Sequence, residues 1–388
     1  MLKPTLLSLS LLTVMSGAAV APALARIAAA FPDAGATSIK LILTTPAAFI
    51  IISSLLSARL CARFSKRRVL FAGLGLYLIG GTGGGAAPSF ELLLVCRAVL
   101  GVGVGLIMPL ATGLIADFFS GEERARMLGF STAASNLGGI IATLIAGILA
   151  AASWRYSFGV YGLGLAVAVL VWAFLPEPEG RAAETMDRGK LPGAVYAWGG
   201  GVFALMVAFY ALPVNLAIFL EQNRFGGASM AGIAASVLTG TGFVAGLAFG
   251  RVRTLLPSLF PALPPALFAS GYLLLGRAAD LPQALLGVGL VGTGVGWAMP
   301  TLLNGATRAG GEGAGVRVMA VMTSLVFTGQ FLSPVILGFL GETFGNGSIR
   351  FTFATISAAA GALLVVLLVR WAALSGRGSA QTKRKATK

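Results

Sequence analysis

Histidine is absent from the chain. That removes the commonest metal ligand and the one side chain that ordinarily exchanges a proton near neutral pH. Cysteine is limited to Cys61 and Cys96, too few for a disulfide framework. Charge is scarce as well: Asp, Glu, Lys and Arg make up 11% of the residues, against roughly 25% in a soluble domain, so a water-facing surface cannot be covered. Acids are rarer than bases, 13 against 28, and every acid falls in a polar connector or at the end of an apolar run. An intramembrane hydrolase needs a nucleophile with a base beside it, and no base is on offer. No G-x-x-x-x-G-K-[ST] phosphate loop occurs; residues 310–315 are glycine-rich but lack the lysine, which argues against an ATP-driven pump.

What the chain has instead is apolar length. Hydrophobic residues make up 57% of it and the mean hydropathy is +0.90. The apolar runs are long enough for the ~20 residues that a helix needs to cross a bilayer. Backbone groups cannot go unpaired in lipid, so spans are helices or a closed barrel, and the every-second-residue alternation of a barrel strand is missing. The expectation is an all-α integral membrane protein with twelve transmembrane helices. Residues 1–175 form one six-helix bundle and 192–372 a second. Residues 176–191 are a polar cytoplasmic linker, and 373–388 a basic cytoplasmic tail.

Lys3, an apolar run and Ala23-Leu24-Ala25 together imitate a cleavable leader. Removing it would leave eleven spans and break the repeat described below, so the segment is read as span one. The formal charge of +15 suggests nucleic acid until the charges are placed. Most of the Lys and Arg lie at the termini and in alternate connectors, Arg59 to Arg68 and Lys383 to Lys388 among them. Basic loops stay cytoplasmic, so both termini are expected to face the cytoplasm and the tail to meet lipid headgroups.

Gly103-Val104-Gly105-Leu106-Ile107-Met108-Pro109 in the fourth predicted span returns 191 residues later as Gly294-Val295-Gly296-Trp297-Ala298-Met299-Pro300 in the tenth. The same offset carries Pro22 onto Pro213, Gly138 onto Gly329 and Gly147 onto Gly338. Matches that land on equivalent spans at one offset argue for an internal duplication. Parallel halves of this kind place a substrate site between them near mid-membrane.

Longer stretches resemble a known family. Ala58 to Leu70 is similar to the G-x-L-x-D-R-x-G-R-R loop motif of the major facilitator superfamily, with Ala58, Ala62 and Ser65 standing where the motif has Gly, Asp and Gly. Arg97 to Gly105 resembles its R-x-x-x-G-x-G motif. Asn136 to Gly147 resembles the glycine-rich motif of its antiporters, with Ala142 and Thr143 in place of Gly-Pro, and Trp154 to Phe158 is a further family signature. The chain is thereby identified as resembling the drug-efflux branch of twelve-span drug:H+ antiporters. The resemblance implies the major facilitator fold, a path lined by spans one, four, seven and ten, and a loop that latches the halves.

Arg97, a charge inside a span, marks function by default. It is expected to organise water or shift the pKa of a nearby acid, or to grip an anion; the structural alternative is that it caps carbonyls of a neighbouring helix. Neutral candidates for substrate contact or coupling are Met108, Thr112, Asn136, Tyr210, Asn215, Trp297, Met299, Asn304 and Gln330, since Met repacks and aromatic faces stack. Asp117 closes span four and is expected to pair with Arg63 or Arg67 as a latch. Asp33 and Glu221 are expected to be solvated carboxylates at the outer end. No metal or cofactor is expected.

The function expected is secondary-active transport by alternating access. The substrates are amphipathic small molecules or drugs, the coupling ion is the proton, and a monomer sits in the inner membrane. A carrier of an anionic or neutral metabolite with Arg97 as its anchor is a second reading. A membrane receptor or scaffold that transports nothing is a third.

Overall fold

The computed structural model describes residues 1–177, 190–311 and 314–386; most of the expected linker 176–191 and the end of the basic tail lie outside them. No strand occurs among the described residues. Eleven helices there are long and apolar enough to cross a membrane. In chain order they are span one (Leu2–Ala30), two (Ala36–Arg63), three (Lys66–Ala86), four (Phe90–Phe118), five (Gly121–Ala152), six (Trp154–Phe174), seven (Gly193–Gln222), eight (Ala228–Leu255), ten (Leu281–Gly310), eleven (Arg317–Gly345) and twelve (Ile349–Trp371).

Span nine is the short one. The sequence predicts it over Ser258 to Arg277, but the α-helix covers only Leu263–Arg277 behind a 3-10 turn at Phe260–Ala262. Pro261, Pro264 and Pro265 withhold three backbone donors and confine regular helix to the C-terminal part of the segment. The last helix, by contrast, continues past its apolar stretch to Ala386.

The two sets of six helices are assembled alike. Span four packs on spans two and three, and span one on spans four and five; span ten packs on eight and nine, and span seven on ten and eleven. Glycines set the distances. A methyl group at Gly101 or Gly105 would meet the backbone of Pro46 and Ile50 on span two, and one at Gly103 the backbone of span three at Tyr77. At Gly292 and Gly296 it would meet the backbone of span eight at Leu238 and Gly242, and at Gly294 the ring of Phe268 on span nine. Each glycine run is therefore a wedge that lets one helix approach two others closely. The fold is twelve helices in two parallel repeats of six.

One face of the protein carries the N-terminus and the connectors between spans two and three, four and five, and eight and nine; most bases lie there, and it is called the basic face. At the opposite, far face the two repeats touch. Span five packs on span eight and span two on span eleven. Gly147 and Gly232 meet backbone to backbone, and the hydroxyls of Thr143 and Ser236 are 2.7 Å apart. Thr37 packs against Gly338 and donates to Glu342 Oε1 at 3.1 Å.

Candidate functional site

Between the repeats lies a cavity of about 860 Å³, well inside the range of small-molecule pockets. Spans one, two, five, seven, eight, ten and eleven line it. Its wall runs from Thr143 and Ala235, near the far-face contacts, to Gly129 and Leu247 toward the basic face. Span four, expected in the wall, contributes nothing to it, because its glycine face is spent on packing against spans two and three.

Of the residues singled out in the sequence, Asn136, Tyr210, Met299 and Gln330 line this cavity. Tyr210 stacks edge-on against Phe209, another wall residue. Asn136 gives one amide hydrogen to Thr132 O at 2.9 Å, which leaves its Oδ1 and a second N–H for a ligand.

Others stand elsewhere. Asn215 is buried on span seven, donating to Ala211 O at 2.7 Å. Trp297 turns its Nε1–H to Ala245 O at 2.9 Å and stacks on Phe260. Thr112 bonds back to Pro109 O within its own helix. Met108 and Asn304 are not wall residues. The wall residues missed in the sequence include the Gly, Ala and Thr of spans five and eight, which read as helix packing wherever they occur.

Arg97 lies outside the cavity and is fully buried, and its contacts explain its place. Pro46 has no N–H to donate, so Ile42 O loses its helical partner; Arg97 Nε donates to that oxygen at 2.9 Å. In span one the helix stops at Ala18 before a 3-10 turn containing Pro22. Val20 N–H there turns to Gly17 O, which frees Ser16 O, and Arg97 Nη2 donates to it. Tyr161 also donates to Ser16 O, at 2.8 Å, and accepts from Arg97 Nη1 at 2.6 Å. An unpaired buried carbonyl costs about 1–3 kcal/mol. Arg97 thus caps one carbonyl left open where the helix of span one stops and one left open by the proline inside span two, and its third bond goes to the Tyr161 hydroxyl.

Asp117 forms its ion pair with Lys66, at 2.7 Å, and not with Arg63 or Arg67. Lys66 opens span three, held by the Ser65 cap; Arg63 is exposed at the end of span two, and Arg67 donates to Trp172 O at 2.7 Å. Spans three and four belong to the same repeat, so this pair does not join the two halves. Asp33 and Glu221 are exposed.

Chemically the cavity is a neutral, mostly apolar container. No Asp, Glu, Lys or Arg lines it among the described residues. Bringing an ion into such a wall forfeits several kcal/mol of hydration, and stacking on a ring returns only about 0.5–2 kcal/mol. Apolar surface finds Phe209, Phe243, Met206 and Met299; a hydroxyl or amide finds Tyr210, Gln330 and Asn136.

Comparison with known proteins places this architecture. The Cephamycin export protein CmcT of Amycolatopsis lactamdurans is 35% identical over 149 residues, 38% of this chain and 30% of that protein. The Quinolone resistance protein NorA of Staphylococcus aureus is 28% identical over 121 residues, 31% of each. Multidrug transporter protein MdtP of Bacillus subtilis is 24% identical over 54% of this chain and 37% of its own. Each match thus spans little more than a third of the relative's length, or less. Among solved structures, a POT family transporter in complex with a thioalcohol conjugated peptide superposes with TM-score 0.76 at 15% identity, over 95% of both chains. The inward open xylose transporter XylE from E. coli gives 0.71 at 15% identity, again over 95% of both chains. These structures share the fold. The family model of the Major Facilitator Superfamily matches residues 6–334, and with twelve helices in two like-packed repeats around a central cavity, the chain belongs to that superfamily of transporters.

Proposed function

We propose that the protein exports amphipathic small molecules across the cytoplasmic membrane by alternating access, with protons as the coupling ion. The observation that carries this reading is the cavity of about 860 Å³ between the repeats, sealed at the far face by spans two, five, eight and eleven. Units 1–175 and 192–372, joined by the linker 176–191, rock against each other, so that the far-face contacts part as the basic face closes. Basic loops stay cytoplasmic, which sets both termini in the cytoplasm and makes the present state the one that loads from inside. A single chain supplies both halves of the cavity, so the monomer is the working unit. The export direction draws on relatives named for export and drug resistance.

With no acid in the cavity wall, the proton site is assigned to the far-face seam. Glu342 on span eleven accepts from Thr37 on span two, and half-buried Lys40 on span two feels the same carboxylate. Glu342 is exposed, so its carboxylate is open to the solution at the far face. Arg97 acts as a positioning residue that ties Ser16 of span one and Ile42 of span two together behind the cavity wall. Its full burial outside the cavity wall counts against the reading in which it anchors an anionic metabolite.

The test is flux of amphipathic compounds through purified protein in liposomes under an imposed pH gradient. Gradient-driven, saturable flux is expected, with the gradient dependence lost in Glu342→Gln. No flux under any gradient would overturn the transport reading; flux indifferent to the gradient in the wild type would overturn proton coupling alone.

A further inference from the structure

We propose that the cavity takes uncharged molecules with an apolar body and a few hydrogen-bonding groups, and turns away permanent ions of either sign, cations most strongly. The proposal rests on the transport reading above and names its substrate class. Two observations carry it. The first is the wall. Its polar side chains are all neutral, and Tyr210 and Gln330 make no hydrogen bond to the protein among the described residues, so their capacity is free for a ligand. The remainder is hydrocarbon and aromatic ring, which can bury an apolar body but cannot replace the water around an ion.

The second is a positive charge directly behind that wall. The backbone acceptors of Arg97, Ser16 and Ile42, immediately precede the wall residues Gly17 and Leu43. Among the described residues no carboxylate pairs with it: its guanidinium is bonded to two carbonyls and the Tyr161 hydroxyl, and the ion pairs Lys3–Glu123 and Lys66–Asp117 stand at the basic face. A cation in the cavity would meet an unbalanced like charge through low-dielectric packing, where such repulsion is weakly screened. An anion would feel attraction from that charge but could not reach its N–H groups: the guanidinium is fully buried outside the wall, and three of its five N–H groups are bonded to Ile42 O, Ser16 O and the Tyr161 hydroxyl. A neutral molecule avoids both problems.

The experiment uses full-length protein in liposomes and three probes built on one fluorescent aromatic body of suitable size. One carries hydroxyl groups, enough to stop it crossing protein-free liposomes; one a quaternary ammonium; one a sulfonate. Saturable flux of the hydroxylated probe, about tenfold or more faster than either ion, is expected. Gln330→Glu, which sets a carboxylate in the wall, is expected to raise quaternary-ammonium flux several-fold and to lower that of the neutral probe. Asn136→Asp serves as the second variant and is expected to act in the same direction. Wild-type flux of either ion as fast as the neutral probe would overturn the proposal while leaving transport intact. Failure of the acidic variants, folded by size-exclusion elution, to shift the preference would overturn it too. No flux of any probe in the wild type would overturn the transport reading itself.

Discussion

Arg97 supplies the hydrogen bond that Pro46 cannot: its Nε donates to Ile42 O at 2.9 Å, the oxygen four residues before the proline. The two residues are on different helices, and one compensates for the other. Arg97→Met is expected to lower stability in detergent by about 2–4 kcal/mol, because it strands this carbonyl and weakens the hold on Ser16 O. Adding Pro46→Ala restores a backbone N–H within span two, so the double variant should regain about 1 kcal/mol. A denaturation cycle reads the coupling directly. Strict additivity of the two substitutions would contradict the relationship.

A pair of arginines reveals the duplication in chemistry. Arg155 donates from Nη1 to Gly85 O and Ala87 O, at 3.0 and 2.8 Å. Arg350 donates to Gly276 O and Ala278 O, at 3.1 and 3.0 Å, and reaches Asn223 Oδ1 at 2.5 Å. The acceptors are related by the 191-residue offset; each arginine lies at the start of the last span of its repeat and closes the end of the third. Each substitution to Ala is expected to cost about 1–3 kcal/mol, and the double variant their sum, since the sites share no partner. Thermal unfolding of the three variants checks it; a loss in Arg155→Ala alone would contradict the equivalence.

The duplication is legible in the sequence, but these caps are not. Offset by 191, Arg155 falls on Asn346, and the loop before span twelve shifts its functional equivalent to Arg350. Pro46 carries no repeat signal, because its equivalent position holds Val237. Carbonyls have no sequence signature at all, so the partners of Arg97 are invisible there while its place inside a span is not. Within the cavity, Tyr210, Met299, Asn136 and Gln330 are legible as polar or adaptable groups on apolar helices. Span four misleads for a related reason: its glycines read as permissive when they are committed to helix contact. Span nine falls where the sequence predicts it, shortened by prolines that lack backbone donors.

Asp117 bonds Lys66 within one repeat, so it is expected to behave as a local brace. Both side chains retain some exposure, 16% and 25%, and exposed pairs contribute about 0–1 kcal/mol. Asp117→Asn should change stability by no more than that, and transport rate by less than about twofold. Initial-rate flux in liposomes is the check. A large gain or loss in rate would mean that the pair works between the halves after all.

If one cavity is exposed alternately to the two sides, the Thr143–Ser236 contact must part in every cycle. Their hydroxyls lie 2.7 Å apart across the far-face seam, so cysteines there are positioned to form a disulfide between spans five and eight. In a background with Cys61 and Cys96 replaced by Ser, flux through Thr143→Cys/Ser236→Cys should stop on oxidation and return on reduction, with each single variant unaffected by either treatment. Undiminished flux through the fully cross-linked protein would contradict the account, because the far face would then have no need to open.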